Sequence, residues 1–436
     1  MDEEFEVLII GAGPAGIAAA ISLAREGFEV MVLERGEYAG SKNVFGGIFF
    51  THQLLKLLPE ALENAPLERA ITKRRFCVLS SEKEVGVDVK IAAWRDKPYN
   101  HTMTALRGRF DRWFADQAET EGANVIPEIL VSELLIENGK VVGVKTEPGG
   151  EEMRAKVVIS AEGAQAFLAR KAGLMAKELP KRHMITNIKE VISMPREKIE
   201  DRFLLENGEG VAIEYFGDVV KGNFGSGFIY TNEESISIGL GLTIHDLINS
   251  KKTLNDFLED FKKHPTVRKL IEGGETIEYA AHMIPEYGYN HLPKMSMPGL
   301  MLVGDTAGLI NGSVYHEGTN LAMGSGLLAA ETLIEAKKNG LDIGSAEALQ
   351  PYRQKLENTF VLKDMYKFRK VPDFLNKFPH YLQEYPGHIT QWLQDYFTVD
   401  ETPKAEVEKG ILNKIKKDIG LWRLTVDMFR LGRNMR

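Results

Sequence analysis

Gly11, Gly13 and Gly16 are the residues whose spacing first suggests chemistry. With Pro14 and Ala15 between them, they join an apolar run at 5–10 to a second apolar run at 17–24. That order reads as a buried strand, a glycine turn and a helix. Gly11 permits the tight turn, Gly13 has no Cβ to keep a pyrophosphate away, and Gly16 lets the helix pack closely on the strand. The helix N-terminus then offers unpaired N–H groups and a positive dipole end to phosphates. A second strand at 29–33 ends on Glu34 and Arg35. A carboxylate there accepts hydrogen bonds from a ribose 2′-hydroxyl, which favours NAD or FAD over NADP.

Later segments supply matching parts. Gly304-Asp305-Thr306-Ala307-Gly308 follows the apolar strand Met301-Leu302-Val303, and Asp305 at a strand end suits a ribityl hydroxyl. Gly318-Thr319-Asn320 opens a small-residue helix whose free N–H groups suit the electron-rich side of a flavin ring. Ala161-Glu162-Gly163 ends another buried strand, where backbone can approach the cofactor. Arg109, ahead of Phe110, Trp113 and Phe114 at helical spacing, is expected to reach toward the phosphates, with a surface arginine beside an N-capping Asp111 as the alternative. Val131 is a further expected cofactor contact.

The elements that carry these residues give an expected α/β fold. The chain has 436 residues, too many for one simple core. A discontinuous nucleotide domain is expected over 1–75, 105–180 and 285–340. An inserted antiparallel sheet over 76–104 and 181–284 is expected to hold the substrate. The helical remainder, 341–436, is assigned to partner or membrane contact. Asn138-Gly139 marks a hairpin turn between strands at 134–136 and 141–144.

Composition narrows the function. The net charge of −8 argues against nucleic-acid binding. The single cysteine, Cys77, excludes a disulfide framework, a CxxC redox pair, cysteine-ligated zinc and an iron–sulfur cluster held by this chain alone. No metal is expected at the reacting centre. The uncharged stretch at 7–24 has an acidic flank and is interrupted by glycines and a proline, so neither a signal peptide nor a membrane span is read there. A reducing, cytoplasmic setting fits.

Taken together, these motifs resemble the glutathione-reductase-type flavoproteins. Ser41-Lys42-Asn43-Val44 with Gly46-Gly47, Phe228-Ile229-Tyr230-Thr231-Asn232, Ala280-Ala281-His282 with Pro285-Glu286, and the Gly304 segment resemble the electron-transfer-flavoprotein:quinone oxidoreductase family of FixC type. The resemblance implies a Rossmann-like FAD domain, an inserted quinone domain and an oxidoreductase activity. It implies a complex with the electron transfer flavoprotein alpha and beta subunits and a ferredoxin-like 4Fe–4S subunit of FixX type. Such a complex oxidises NADH and bifurcates electrons between ferredoxin and a membrane quinone, lying peripherally on the inner face of the cell membrane. A geranylgeranyl-reductase-like enzyme acting on prenyl lipids and an aromatic hydroxylase are the alternatives on the same fold.

Quinone reduction calls for positioning groups more than for a nucleophile or an acid–base triad. Gly46 and Gly47 are expected to give backbone access to the flavin edge. His52 and His282 are candidate quinone partners, or else structural histidines. Glu317 stands where relatives often place a basic residue, and either tunes the flavin or is solvated. From Lys404 onward nine basic residues face four acidic ones. Ile411, Ile415, Ile419, Trp422, Val426 and Phe429 read as one helical stripe, for membrane, partner or core. No second glycine fingerprint follows Gly239-Leu240-Gly241, so direct oxidation of NADH by this chain is not expected.

Overall fold

The strand Glu4–Ile10 is fully buried over its last four residues and takes a central place in a parallel sheet. Its apolar side chains carry no alternation because helices cover both faces. It pairs in parallel with Glu152–Ser160 on one side and Val30–Leu33 on the other. Leu300–Leu302 and Asn124–Ile126 extend the same parallel order. The carboxyl ends of these strands therefore lie along one edge, where open α/β sheets bind ligands. The computed structural model describes residues 4–434 apart from 43–45, 177, 179 and 314. Asn43 and Val44 of the sequence motif lie outside the described residues, as does Arg436 of the basic tail.

Helix Pro14–Arg25 leaves the first strand through Gly11, whose φ of +101° only glycine adopts easily. Helix Thr319–Lys338 packs across it. At the crossing, a Cβ on Gly326 would lie 2.1 Å from the Ala15 carbonyl oxygen. The Asn138-Gly139 turn has both residues at positive φ, as a type I′ hairpin requires, and joins Leu130–Glu137 to Lys140–Glu147.

A second sheet of nine strands stands over the carboxyl edge of the first. Glu275–Pro285, Met184–Ser193, Ser235–Thr243, Gly225–Thr231 and Glu209–Gly217 are consecutive antiparallel neighbours. The next strand, Leu67–Leu79, pairs in parallel with Glu209–Gly217, so the sheet is mixed where a purely antiparallel one was expected. Gly47–Phe50, Thr102–Ala105 and Glu84–Lys90, the last pairing antiparallel with Leu67–Leu79, complete it, so Gly47 opens a strand. Alternation divides the sheet's side chains. Ile229, Ile213 and Ile238 face a core closed by helix Leu254–Lys263, whereas Phe228 and Tyr230 form a separate cluster on the other face.

The carboxy-terminal region is helical. The expected single stripe is divided between Lys404–Asp418 and Leu421–Asn434, because Gly420 at φ +83° ends the first helix. Ile419 is buried, but Trp422 and Phe429 are 80% and 69% exposed. Asp427 anchors the last helix. Its carboxylate accepts from Tyr385 Oη at 2.9 Å and lies 3.0 Å from His380 Nε2. Among the described residues no helix is long and apolar enough to cross a membrane.

The Gly326 crossing makes a direct prediction. Gly326→Ala should lower the unfolding free energy by about 1–3 kcal/mol, the usual cost of overpacking, in urea denaturation. Gly410→Ala, where a Cβ meets nothing within 4 Å, should leave it unchanged or slightly raised.

Candidate active site

The carboxyl edge of the parallel sheet and the inner face of the second sheet enclose one cavity of about 710 Å³. The glycine turn (Gly11, Gly13, Pro14, Ala15), Glu34 and Arg35 line one end. Val131, Ala161, Glu162, Gly163, Gly304, Asp305, Gly318 and Thr319 line its floor. Gly46, Gly47, Tyr230, Phe228 and His282 line the wall contributed by the second sheet. Segments distant in sequence thus converge on a single chamber.

Backbone geometry explains the convergence. A Cβ on Gly11 would meet the Ala161 carbonyl oxygen at 2.4 Å, and one on Gly16 the Gly11 oxygen at 2.2 Å. Gly16 therefore serves packing and does not line the cavity. Gly163 N donates to Thr306 Oγ1 at 2.9 Å, tying neighbouring strand ends together, and Gly304 N donates to Ser325 Oγ at 2.9 Å, tying its strand end to helix Thr319–Lys338. The Glu34 carboxylate accepts from Ala12 N at 3.0 Å and Gly36 N at 2.7 Å, which fixes its place beside the turn. Glu162 spends its carboxylate on the N–H groups of Leu168 and Ala169, opening helix Phe167–Lys171, so its backbone is what lines the cavity.

The residues fit an extended dinucleotide. A Cβ on Gly13 or Gly318 would meet nothing within 4 Å, so both turns present bare backbone to open space. Asn187 lines the cavity with a buried Nδ2 that has no hydrogen-bond partner among the described residues. Asn320 lies behind the helix start, its Nδ2 donating to Glu317 at 2.9 Å. Asp305 is pushed up to about 6 by burial, with Arg107 pulling the other way.

Three expected residues have different surroundings. The Arg109 side chain is 72% exposed, lies outside the cavity and pairs loosely with Glu68 at 3.7 Å. The arginine of this helix that lines the cavity is Arg107, held by Asp111 through two 2.6 Å hydrogen bonds. Asp111 is thus a buried ion-pair partner and not an N-cap. The i,i+4 spacing of Arg107 and Asp111 was the available signal. His52 is exposed, packs edge-on against His101 with ring centroids 5.1 Å apart, and does not reach the cavity. Gly46 and Gly47 line the cavity, yet their lack of a side chain also serves packing. A Cβ on Gly46 would lie 2.3 Å from the Ala105 oxygen, and one on Gly47 3.0 Å from the Tyr230 ring.

The structure adds Glu214 and His316, to which the sequence reading gave no role, and joins them in a polar chain with Glu286 and Glu317. Glu214, His316, Glu286 and Glu317 all line the cavity. Arg74 Nη2 donates to Glu214 Oε1 at 2.5 Å, and His316 Nε2 lies 3.3 Å from Glu214 Oε2. Burial opposes ionisation of Glu214, but His316 and Arg74 outweigh it and hold its carboxyl below the usual range. Burial likewise opposes the His316 imidazolium, but Glu214 and Glu286 raise its pKa. Glu286 is pushed up to about 7 by burial, with His316 opposing. Glu317 is not freely solvated, since Asn311 and Asn320 both donate to it. His282 is pulled down to about 4 by burial, then by Arg107 and Arg35, so its imidazole is neutral at physiological pH.

Comparison with known proteins decides the family. Residues 371–436 match the ETF-QO/FixC family C-terminal domain, and residues 6–192 match the FAD dependent oxidoreductase family. The chain is 42% identical to Protein FixC of Azorhizobium caulinodans, over 100% of both chains. The chain belongs to the FixC family. A probable electron transfer flavoprotein-quinone oxidoreductase of Escherichia coli is 39% identical over 98% of both. In fold, this FixC-family chain is similar to a geranylgeranyl bacteriochlorophyll reductase-like protein of Thermoplasma acidophilum (TM-score 0.73, 22% identity, 99% and 100% covered). It is also similar to the myxobacterial halogenase CndH (TM-score 0.66, 18% identity, 84% and 83% covered). The chain is accordingly an FAD-dependent oxidoreductase of the FixC family.

The two arginines separate cleanly by experiment. Arg107→Ala should weaken FAD binding by about tenfold or more, because it removes a charged group and strands buried Asp111. Arg109→Ala should retain full flavin content, as read by flavin absorbance per mole of purified protein.

Proposed function

We propose that this chain reduces membrane quinone with electrons that come from electron transfer flavoprotein through a ferredoxin-like iron–sulfur partner. In this reading it is the quinone-reducing part of an NADH-oxidising, ferredoxin-reducing bifurcating complex. The observation that carries the reading is the shared cavity. Its glycine-turn end suits a dinucleotide, and its far wall, from the second sheet, is aromatic and apolar with titratable groups beside it.

Bound FAD supplies the redox chemistry, passing on the two electrons that turn a quinone, with two protons, into a quinol. Gly11, Gly13 and the N-terminus of helix Pro14–Arg25 would hold its pyrophosphate, Glu34 its ribose and Asp305 its ribityl chain. Phe228 and Tyr230, stacked at 4.7 Å with their planes 12° apart, give the quinone ring a flat apolar face. Neutral His282 offers a hydrogen bond. Glu286 supplies protons, since a carboxyl titrating near 7 both holds and releases a proton at physiological pH. His316 restores them, held in place by Glu214 and Arg74. The lone Cys77 is buried, and its thiol is pushed up to about 12 by burial, so the cluster belongs to the partner.

Peripheral membrane contact is the reading for the last helix. Trp422, Met428 and Phe429 are exposed on Leu421–Asn434, close to Arg430 and Arg433. An apolar strip flanked by arginines suits an anionic interface.

Two measurements follow. With reduced electron transfer flavoprotein, the iron–sulfur partner and a soluble quinone, the wild-type rate should fall as pH rises through about 7, where Glu286 loses its proton. Glu286→Gln should slow quinone reduction by roughly 10²-fold or more and flatten that profile. An unchanged rate and profile would contradict the assignment. Trp422→Ser with Phe429→Ser should weaken co-sedimentation with anionic phosphatidylglycerol vesicles by about tenfold or more. Equal binding by both proteins would place the contact elsewhere.

A further inference from the structure

We propose that His183, His291 and Asp373 form a binding site for a divalent transition ion of the zinc type, which clasps the carboxy-terminal region to the body of the protein. Each of the three offers one ligand atom, and these atoms lie within 4.8 Å of one another. His183 is in the turn before strand Met184–Ser193, and His291 in the turn Tyr289–His291. Asp373 is in the first turn of helix Val371–Lys377. Three separate stretches of chain therefore place metal-ligating groups at one point, a coincidence no local spacing could disclose.

The chemistry of the trio favours a metal over a simple contact. The two imidazole rings lie 4.6 Å apart. His183 Nδ1 is buried and has no hydrogen-bond partner among the described residues. Burial, and then His291, hold the His183 pKa below its ordinary value, so the ring keeps a free lone pair. Among the described residues Asp373 has no lysine or arginine partner. Ligands bonded to one zinc at its usual lengths stand roughly 3.3–3.6 Å apart. His291 and Asp373 are exposed, so small rotations of their side chains close the remaining distance. Two nitrogens and one carboxylate suit zinc or a neighbouring first-row ion, whereas magnesium and calcium prefer all-oxygen sites. Three protein ligands also leave a position open to water.

The position gives the ion a structural role. Glu286 N donates to the His183 carbonyl at 2.8 Å, so the turn that carries His183 also fixes the strand end bearing Glu286. Helix Val371–Lys377 begins the segment matched as the family's C-terminal domain. A bound ion would tie that segment to both sheets.

Untagged, FAD-loaded full-length protein, stripped with chelator and dialysed, provides the test. Titration with zinc chloride by calorimetry should give one ion per chain and a raised melting temperature, with magnesium chloride doing neither. Affinity should fall as pH drops through the histidine range. His183→Ala and Asp373→Asn should each weaken binding by about tenfold or more with unchanged flavin content, which reports an intact fold. Zinc binding that is absent from the wild type, or equal in both variants, would overturn the site and leave a histidine pair balanced by a carboxylate.

Discussion

The structure depends on how closely backbone approaches backbone at the carboxyl edge of the parallel sheet. Gly11 against Ala161, Gly16 against Gly11, and Gly326 against Ala15 are contacts with no room for a Cβ. Together they draw strand ends and two helix N-termini into one small region. Each approach is local, but their sum is a concave surface lined by peptide N–H groups. That surface can hold phosphates without a cluster of cationic side chains, which fits a protein of net charge −8.

The second sheet turns a nucleotide cradle into a reaction chamber. It contributes Glu214 from strand Glu209–Gly217 and, just beyond strand Glu275–Pro285, Glu286, to a cavity that Asp305 lines from the edge of the first sheet. Glu214 is stabilised as an anion by His316 and Arg74, while Glu286 and Asp305 are held closer to neutrality by burial. Neighbouring carboxyls thus differ in protonation because their partners differ. This division is what a site needs when it handles electrons and protons together.

Much of this was legible in the sequence. The glycine fingerprint, Glu34, the Asp305 segment and the Asn138-Gly139 turn each rest on local backbone rules that one short window contains. What could not be read depends on distant partners. Strand Leu67–Leu79 is rich in arginine and lysine, which hides a strand whose charges are matched by Glu200, Glu214 and Asp88. Sequence alone singled out Arg109 and left Arg107 unconsidered, because residues that face a helix from elsewhere decide which of its sides is buried. Gly420 splits a continuous apolar periodicity that reads as one helix. His316 belongs to no motif used in the sequence reading, and Glu286 entered it only as the end of a family motif with no role attached; both gain their character from burial and from each other.

The central claim is that one cavity holds flavin and acceptor side by side. It is tested most directly by reducing the flavin photochemically without oxygen and mixing the protein, by stopped flow, with a water-soluble quinone or with oxygen. The account predicts reoxidation by the quinone that is fast, saturable and far faster than reoxidation by oxygen. Sluggish, non-saturating reaction with the quinone alongside rapid reaction with oxygen would contradict it.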